Sequence, residues 1–506
     1  MRALTAWPRG RDPGKVAPMV RWGWPLVLVL AACGGTEHAG DAGLPADVSV
    51  DAGDSGGLAD AGQPADAGDP DDAGRPADGG GSRGLPRLRA ADPAAAARGG
   101  KALVEDSFGG QLVPWLGIRN LWVVWDARPR DDATYWGDFN QRYGAVARPD
   151  DPVGMPYGLK VAGQTATVDC LFCHAGEVAG APVIGAPASR VDLEGLYDDL
   201  VTLAALGPTY GFPAYPIPFS LDGFTGAAGA HDAMGLGLRL AAAATPGAPA
   251  PAACGHQRPA PWWTAAVKDR RYADGSARAA GYRTMMATLL AFGLGYGALV
   301  AQDAEFQDVD QYLVSLEPPA WPFAPPDPAA VARGRVLFED RCAECHGRYD
   351  GPARGFPERV VPAAEVGTDP TRAACFTEAE AAWINLSWFG QPEGMTPTGG
   401  YLAPALTGVW AAAPYLHNGS VPTLAGVLDP ALRPAVWRRT GSGAAHYDPA
   451  AVGWRYDTPA AGSPDTLEGR RVYDTTRPGL DNGGHDYAQG LSAAERADLL
   501  AYLQTL

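Results

Sequence analysis

One pentapeptide pattern, C-x-x-C-H, occurs twice in this chain, as Cys170-Leu171-Phe172-Cys173-His174 and as Cys342-Ala343-Glu344-Cys345-His346. The pattern is the attachment signature for c-type haem. Two thiols bond the vinyl groups of one porphyrin, and the next residue, His, ligates its iron from the proximal side. The spacing is a reach constraint, because two sulfurs and one imidazole must meet a single macrocycle. Three other uses of paired Cys fit less well. A thioredoxin-type pair needs a βαβ context, which the flanking sequence lacks. A zinc site would pair the four thiols and give no role to the His after each pair. A disulfide across two intervening residues makes a very tight loop. The chain holds only seven Cys and eight His, so two chance copies are improbable. The expected cofactors are two covalently bound haem c groups, with His174 and His346 as iron ligands.

The N-terminus reads as an export signal. Arg9, Arg11, Lys15 and Arg21 precede the apolar run from Trp24 to Cys33. That run is too short to span a bilayer, which takes about 20 residues, and it suits a secretory h-region. Leu30-Ala31-Ala32-Cys33 resembles a bacterial lipobox, with Cys33 as the lipidated residue. A plain signal peptide that contains a Cys is the alternative, and a start at Met19 would give a more ordinary signal length. The expectation is an exported, membrane-anchored lipoprotein in the periplasm or at the outer membrane or cell surface. Haem attachment agrees with an oxidising compartment. Residues 34–91 repeat Asp-Ala-Gly with almost no large apolar side chains. They read as a disordered tether, since little burial would repay the entropy of ordering. Asp and Glu number 57 against 40 Lys and Arg, which argues against nucleic acid as a partner.

The rest of the chain is duplicated. Asp92-Pro93-Ala94-Ala95-Ala96-Ala97-Arg98-Gly99 recurs as Asp327-Pro328-Ala329-Ala330-Val331-Ala332-Arg333-Gly334. Each copy offers Asp as N-cap and Pro at the first helical position. A second pair closes each half: Val309 to Leu316 matches Leu499 to Leu506, both with apolar residues on one helix face. Ser492 and Glu495 add a capping box. The expected architecture is mainly α: two cytochrome c-like haem domains, 92–318 and 327–506, with long loops, few short strands and a Pro-rich linker from Glu317 to Pro326. The first half carries an insertion of about sixty residues with Trp115, Trp122, Trp125, Tyr135, Trp136 and Tyr143, expected mostly as core because aromatic side chains bury large areas.

Distal ligands decide whether such a haem transfers electrons or binds an oxidant. His38 lies in the tether. His231 and His256 are expected on surface or loop positions, which leaves the first haem with an open distal face. In the second half His485, His417 and Met395 are the candidates. Cys254 and Cys375 either pair, joining the halves, or stand as unrelated thiols; the sequence leaves both open.

From about Asp92 onward the chain resembles the dihaem cytochrome c peroxidase superfamily. Ala403-Pro404-Ala405-Leu406-Thr407-Gly408-Val409-Trp410 and Ala413-Pro414-Tyr415-Leu416-His417-Asn418-Gly419-Ser420-Val421-Pro422-Thr423-Leu424 carry the likeness. Pro261-Trp262-Trp263, Gly483-Gly484-His485 and the long insertion look most like the rubber oxygenase branch. The Ala- and Pro-rich run from Ala241 to Ala252 departs from it. The resemblance implies dioxygen activation at the first haem, held by His174 without a protein distal ligand. It implies His346 and His485 as the axial pair of the second haem and His417 as a supporting residue near the metal. It also implies Trp262 or Trp263 as a catalytic residue in electron sharing between the haems, with plain packing as the alternative. The implied substrate is a hydrophobic alkene or polyisoprene-like polymer. Two rivals remain: a peroxidase that takes hydrogen peroxide and electrons from a small cytochrome, and a non-enzymatic electron carrier with two six-coordinate irons.

Overall fold

Each half begins and ends with a helix, and the two helices of a half cross at a glycine. The computed structural model describes residues 84–108, 113–125, 127–206, 209, 225–232, 235–236, 254–287, 289 and 295–506. The proposed signal, Cys33, His38, most of the tether and the run from Ala241 to Ala252 lie outside the described residues. The described residues fall in one unit, Ala77–Leu506.

Helix Pro93–Glu105 starts as its sequence dictates, with the Asp92 carboxylate accepting from the backbone N–H groups of Ala94 and Ala95. Helix Pro328–Arg341 repeats this, with Asp327 accepting from Ala329 and Ala330. Their partners are Asp303–Ser315 and Ala493–Leu503, the latter opened by the Ser492–Glu495 capping box. A Cβ on Gly99 would sit 2.0 Å from the Asp308 carbonyl oxygen, and one on Gly334 would sit 1.9 Å from that of Asp498. Only glycine permits backbones this close. Beside each crossing, Arg98 forks onto Asp308 at 2.6 and 2.7 Å and Arg333 onto Asp498 at the same two distances. The duplication thus extends to side-chain geometry.

The fold is mixed α/β, 41% helix and 14% strand, and so departs from a mainly α architecture with few strands. The strands are two to four residues long. With 66 Gly and 47 Pro, the loops turn too often for longer helices, and extended stretches pair locally instead. Ala175–Val178 and Ala181–Ile184 form a hairpin directly after the first Cys pair. Val436–Arg439 lies between Tyr456–Asp457 and Val472–Asp474.

Of the four apolar clusters among the described residues, three bear on the Cys pairs. One gathers Leu103, Phe306 and Leu313 with Leu171; a second gathers Phe338, Tyr349, Trp410 and Tyr502 with Ala343. The third is the aromatic insertion, where Tyr135, Trp136, Phe139 and Tyr143 pack against Phe172. These rings are core, as expected. Contacts between the halves are buried and specific. Cys254 and Cys375 form a disulfide, which resolves the pairing the sequence left open. Arg470 places Nε 3.0 Å from both oxygens of Asp192, with each side chain 3% exposed or less.

Candidate functional site

The first Cys pair lies on the short helix Cys170–His174, whose N-cap Asp169 accepts from the Leu171 N–H at 3.2 Å. Residues at i, i+3 and i+4 share a helix face, so Cys170, Cys173 and His174 point one way. The two intervening residues do the anchoring. Leu171 enters one apolar cluster and Phe172 another. Burial pushes the Cys173 thiol up to about 12 and Cys170 higher. Burial also holds His174 down at about 4, which keeps the imidazole neutral, the form that ligates metal. The Ala260 backbone, accepting from the ring, opposes that shift.

At the second pair, Cys342 ends helix Pro328–Arg341 and begins helix Ala343–His346. His346 Nδ1 lies 2.8 Å from the Pro404 carbonyl oxygen. A carbonyl only accepts, so Nδ1 carries the proton and Nε2 keeps its lone pair. The His485 ring faces His346 with centroids 6.0 Å apart. Two imidazoles each about 2 Å from one metal would have centroids roughly 6 Å apart. Two thiols, one correctly protonated imidazole and a second imidazole at that separation fit a six-coordinate haem c. The first pair offers the same thiols and proximal ring, but its His174 stacks on the Trp262 indole at 4.4 Å.

His485 is placed by its loop. Its φ is +56°, in the left-handed region, where His is over-represented among non-glycine residues. Its N–H donates to the Val366 carbonyl at 2.7 Å. Arg433 pins the approach, donating to the carbonyls of Asn482 at 2.8 Å, Gly484 at 2.7 Å and Gly426 at 2.8 Å. Arg433 carries no motif in the sequence, and its role follows from this convergence alone. In Arg433→Gln, loss of these charged hydrogen bonds is expected to cost about 2 kcal/mol in urea titration. A high-spin fraction is also expected at the second haem by spin resonance. Lower stability with an unchanged spectrum would confine Arg433 to a structural role.

The consecutive indoles Trp262 and Trp263 reach opposite cores. Trp262 packs with Cys170 and Leu171, while Trp263 packs with Phe338, Ala343 and Trp410. The Trp263 indole N–H donates to the Thr407 carbonyl at 2.8 Å. Together they link the regions behind the two Cys pairs.

The structure brings His346 and His485 together and places the other candidates elsewhere. His417 stacks on Tyr401 at 4.1 Å. Met395 is buried in the first cluster with Met286 and Phe389, where its backbone N–H donates to the Asn385 side chain at 2.7 Å.

The expectation that His231 and His256 are surface or loop residues fails for His231, which lies in a strand and is 6% exposed. Burial holds both rings at about 4; each is also opposed by a neighbour, His256 for His231 and Arg477 for His256. Below their ordinary value of 6.5 the unfolded chain therefore binds protons that the folded chain refuses. Stability is expected to fall as pH drops from about 6.5 to about 4. Urea midpoints across that window check this, and His231→Gln should flatten the slope.

Residues 400–438 match the model of the RoxA-like, cytochrome c-like family. The matched stretch contains Pro404, His417 and Arg433. Two relatives come from Sinorhizobium fredii (strain NBRC 101917 / NGR234). Uncharacterized protein y4iM is 36% identical, across 35% of this chain and 45% of that protein. Uncharacterized protein y4iJ is 27% identical, across 38% of this chain and 41% of that protein. The chain thus spans less than half the length of either relative. A cytochrome c-like domain, and with it covalently bound haem c, is part of this chain.

Proposed function

We propose that the chain is a dihaem c-type oxidoreductase that activates dioxygen at the haem of Cys170, Cys173 and His174, for oxidative cleavage of a hydrophobic alkene such as polyisoprene. Bound haem would supply the redox chemistry and a coordination position for the oxidant. One observation carries the reading: the two Cys pairs are unlike. His346 faces His485 at 6.0 Å, whereas His174 is stacked on Trp262 at 4.4 Å. His231 lies in strand Ala230–His231, where its N–H donates to the Gln257 carbonyl at 3.0 Å. His485 fills the second site, and Trp262 with Trp263 provides an aromatic path between the two.

Export and a lipid anchor at Cys33 belong to the same proposal. The Cys254–Cys375 disulfide supports an oxidising compartment. Among the described residues no helix is long and apolar enough to cross a membrane.

The test is turnover. Oxygen uptake with polyisoprene latex, and cleavage products carrying carbonyl ends, are expected. Peroxide reduction with a reduced small cytochrome and no oxygen uptake would replace this reading with the peroxidase. Neither activity, with both haems low-spin, would leave an electron carrier.

A further inference from the structure

Arg439 ends strand Val436–Arg439 with two of its three guanidinium nitrogens unsatisfied. Nη1 donates to the Ser189 hydroxyl at 3.2 Å, while Nε and Nη2 are buried without an acceptor. The guanidinium carbon lies 3.0 Å from the Trp454 ring centre, so one face is covered by indole. Nε and Nη2 form the edge of the fork that receives two oxygens of one carboxylate. Arg98 offers that same edge to Asp308, and Arg333 offers it to Asp498.

The local charge is also unbalanced. Arg190, next to Ser189, repels Arg439, and Arg471, itself paired with Glu468 at 2.6 Å, acts on Arg190. Glu177 is the carboxylate that acts on both Arg190 and Arg439, and its Oε1 accepts from the Gly443 N–H. A buried guanidinium with open donors and a surplus of positive charge is costly unless an anion completes it.

The place of this cluster is informative. The N–H of Ala188, just before Ser189 and Arg190, donates to the Cys173 carbonyl at 2.9 Å. Glu177 lies in strand Ala175–Val178, which leaves directly from His174. The cluster is therefore built on the two segments that frame the first Cys pair. A porphyrin held there by its vinyl edge carries two carboxylates on another edge, and these need partners.

We infer that Arg439, flanked by Arg190, is the seat for a carboxylate of the porphyrin attached at Cys170 and Cys173. This rests on haem attachment at that pair, as proposed above. A free oxyanion such as phosphate shares the chemistry, and the test separates the two sources. Midpoint potentials of both haems are measured by spectroelectrochemistry in the holoprotein and in R439Q, R439K and E177Q. Haem content is read by pyridine haemochrome on the same samples. Nearby charge sets haem potential, so R439Q should shift the first haem downward and R439K should restore part of the shift. E177Q should shift it upward, and the second haem should not move. Opposite signs are a readout that general loosening would not give. If R439Q does not accumulate, R190Q and E177Q carry the same opposed shifts. An unmoved first-haem potential with two haems present overturns the seat. So does saturable phosphate binding to the wild type that R439Q abolishes, which would make the cluster a free-anion site. Absence of haem from the first pair in the wild type would instead overturn the attachment on which the inference rests.

Discussion

A His485→Ala variant is expected to keep its covalent haem and lose the low-spin resonance of the haem at Cys342, Cys345 and His346. The thioether bonds do not involve His485, so haem content stays at the wild-type level. The sixth ligand disappears, because the ring that faces His346 at 6.0 Å is gone. The wild type should show one low-spin species, from this haem, and one high-spin or oxygen-sensitive species from the other. The variant should show two high-spin species, a complete loss of the low-spin signal. Backbone strain is a separate effect here, because φ at this position is +56°. Glycine tolerates that conformation without cost. His485→Gly should therefore lose the signal with less loss of stability, and added imidazole should restore it in both variants. Retention of the low-spin signal in His485→Gly would remove His485 from the ligand set and return Met395 or His417 to consideration.

The second large effect is on stability. Cys254 and Cys375 are separated by 121 residues, and their Cα atoms lie 4.7 Å apart. A link of that length removes much of the freedom of the unfolded chain. Replacing Cys375 with Ala is expected to lower stability by about 2–5 kcal/mol. Cys375 is buried in one cluster with Phe376, Ile384 and Phe389. Guanidinium unfolding under non-reducing conditions, monitored by tryptophan fluorescence, measures this. Reductant should bring the wild type toward the variant and leave the variant unchanged. Equal midpoints for oxidised and reduced wild type would mean that the bond does not form or carries no constraint.

The halves of the fold are legible where local chemistry is strong. Asp92-Pro93 and Asp327-Pro328 announce two helix starts, and Ser492 with Glu495 announces a third, because caps act within three or four residues. The Cys-x-x-Cys-His pairs are legible for the same reason: their constraint is contained in five residues. Strands of two to four residues are not legible, since they form where loops happen to run side by side. The glycines at 99 and 334 stand in the repeat, yet their purpose appears only when the Asp308 and Asp498 carbonyls are seen beside them. His485 could be singled out by its neighbours Gly483 and Gly484, but its distance from His346 needed the fold. Arg433 and Arg439 had no signal, because an arginine's role is set by acceptors far away in the chain. His231 misled for a related reason. Its Gly-rich surroundings read as exposed loop, while tertiary packing buries it in a strand.

All of this rests on covalent haem at both Cys pairs. The most direct measurement is the intact mass of protein matured in a host that assembles cytochromes c, with haem counted after acid–acetone extraction. The expected mass is that of the polypeptide plus two haems that resist extraction, falling to one in Cys170→Ala/Cys173→Ala and to one in Cys342→Ala/Cys345→Ala. A wild-type mass equal to the bare polypeptide, or to one haem only, would contradict it.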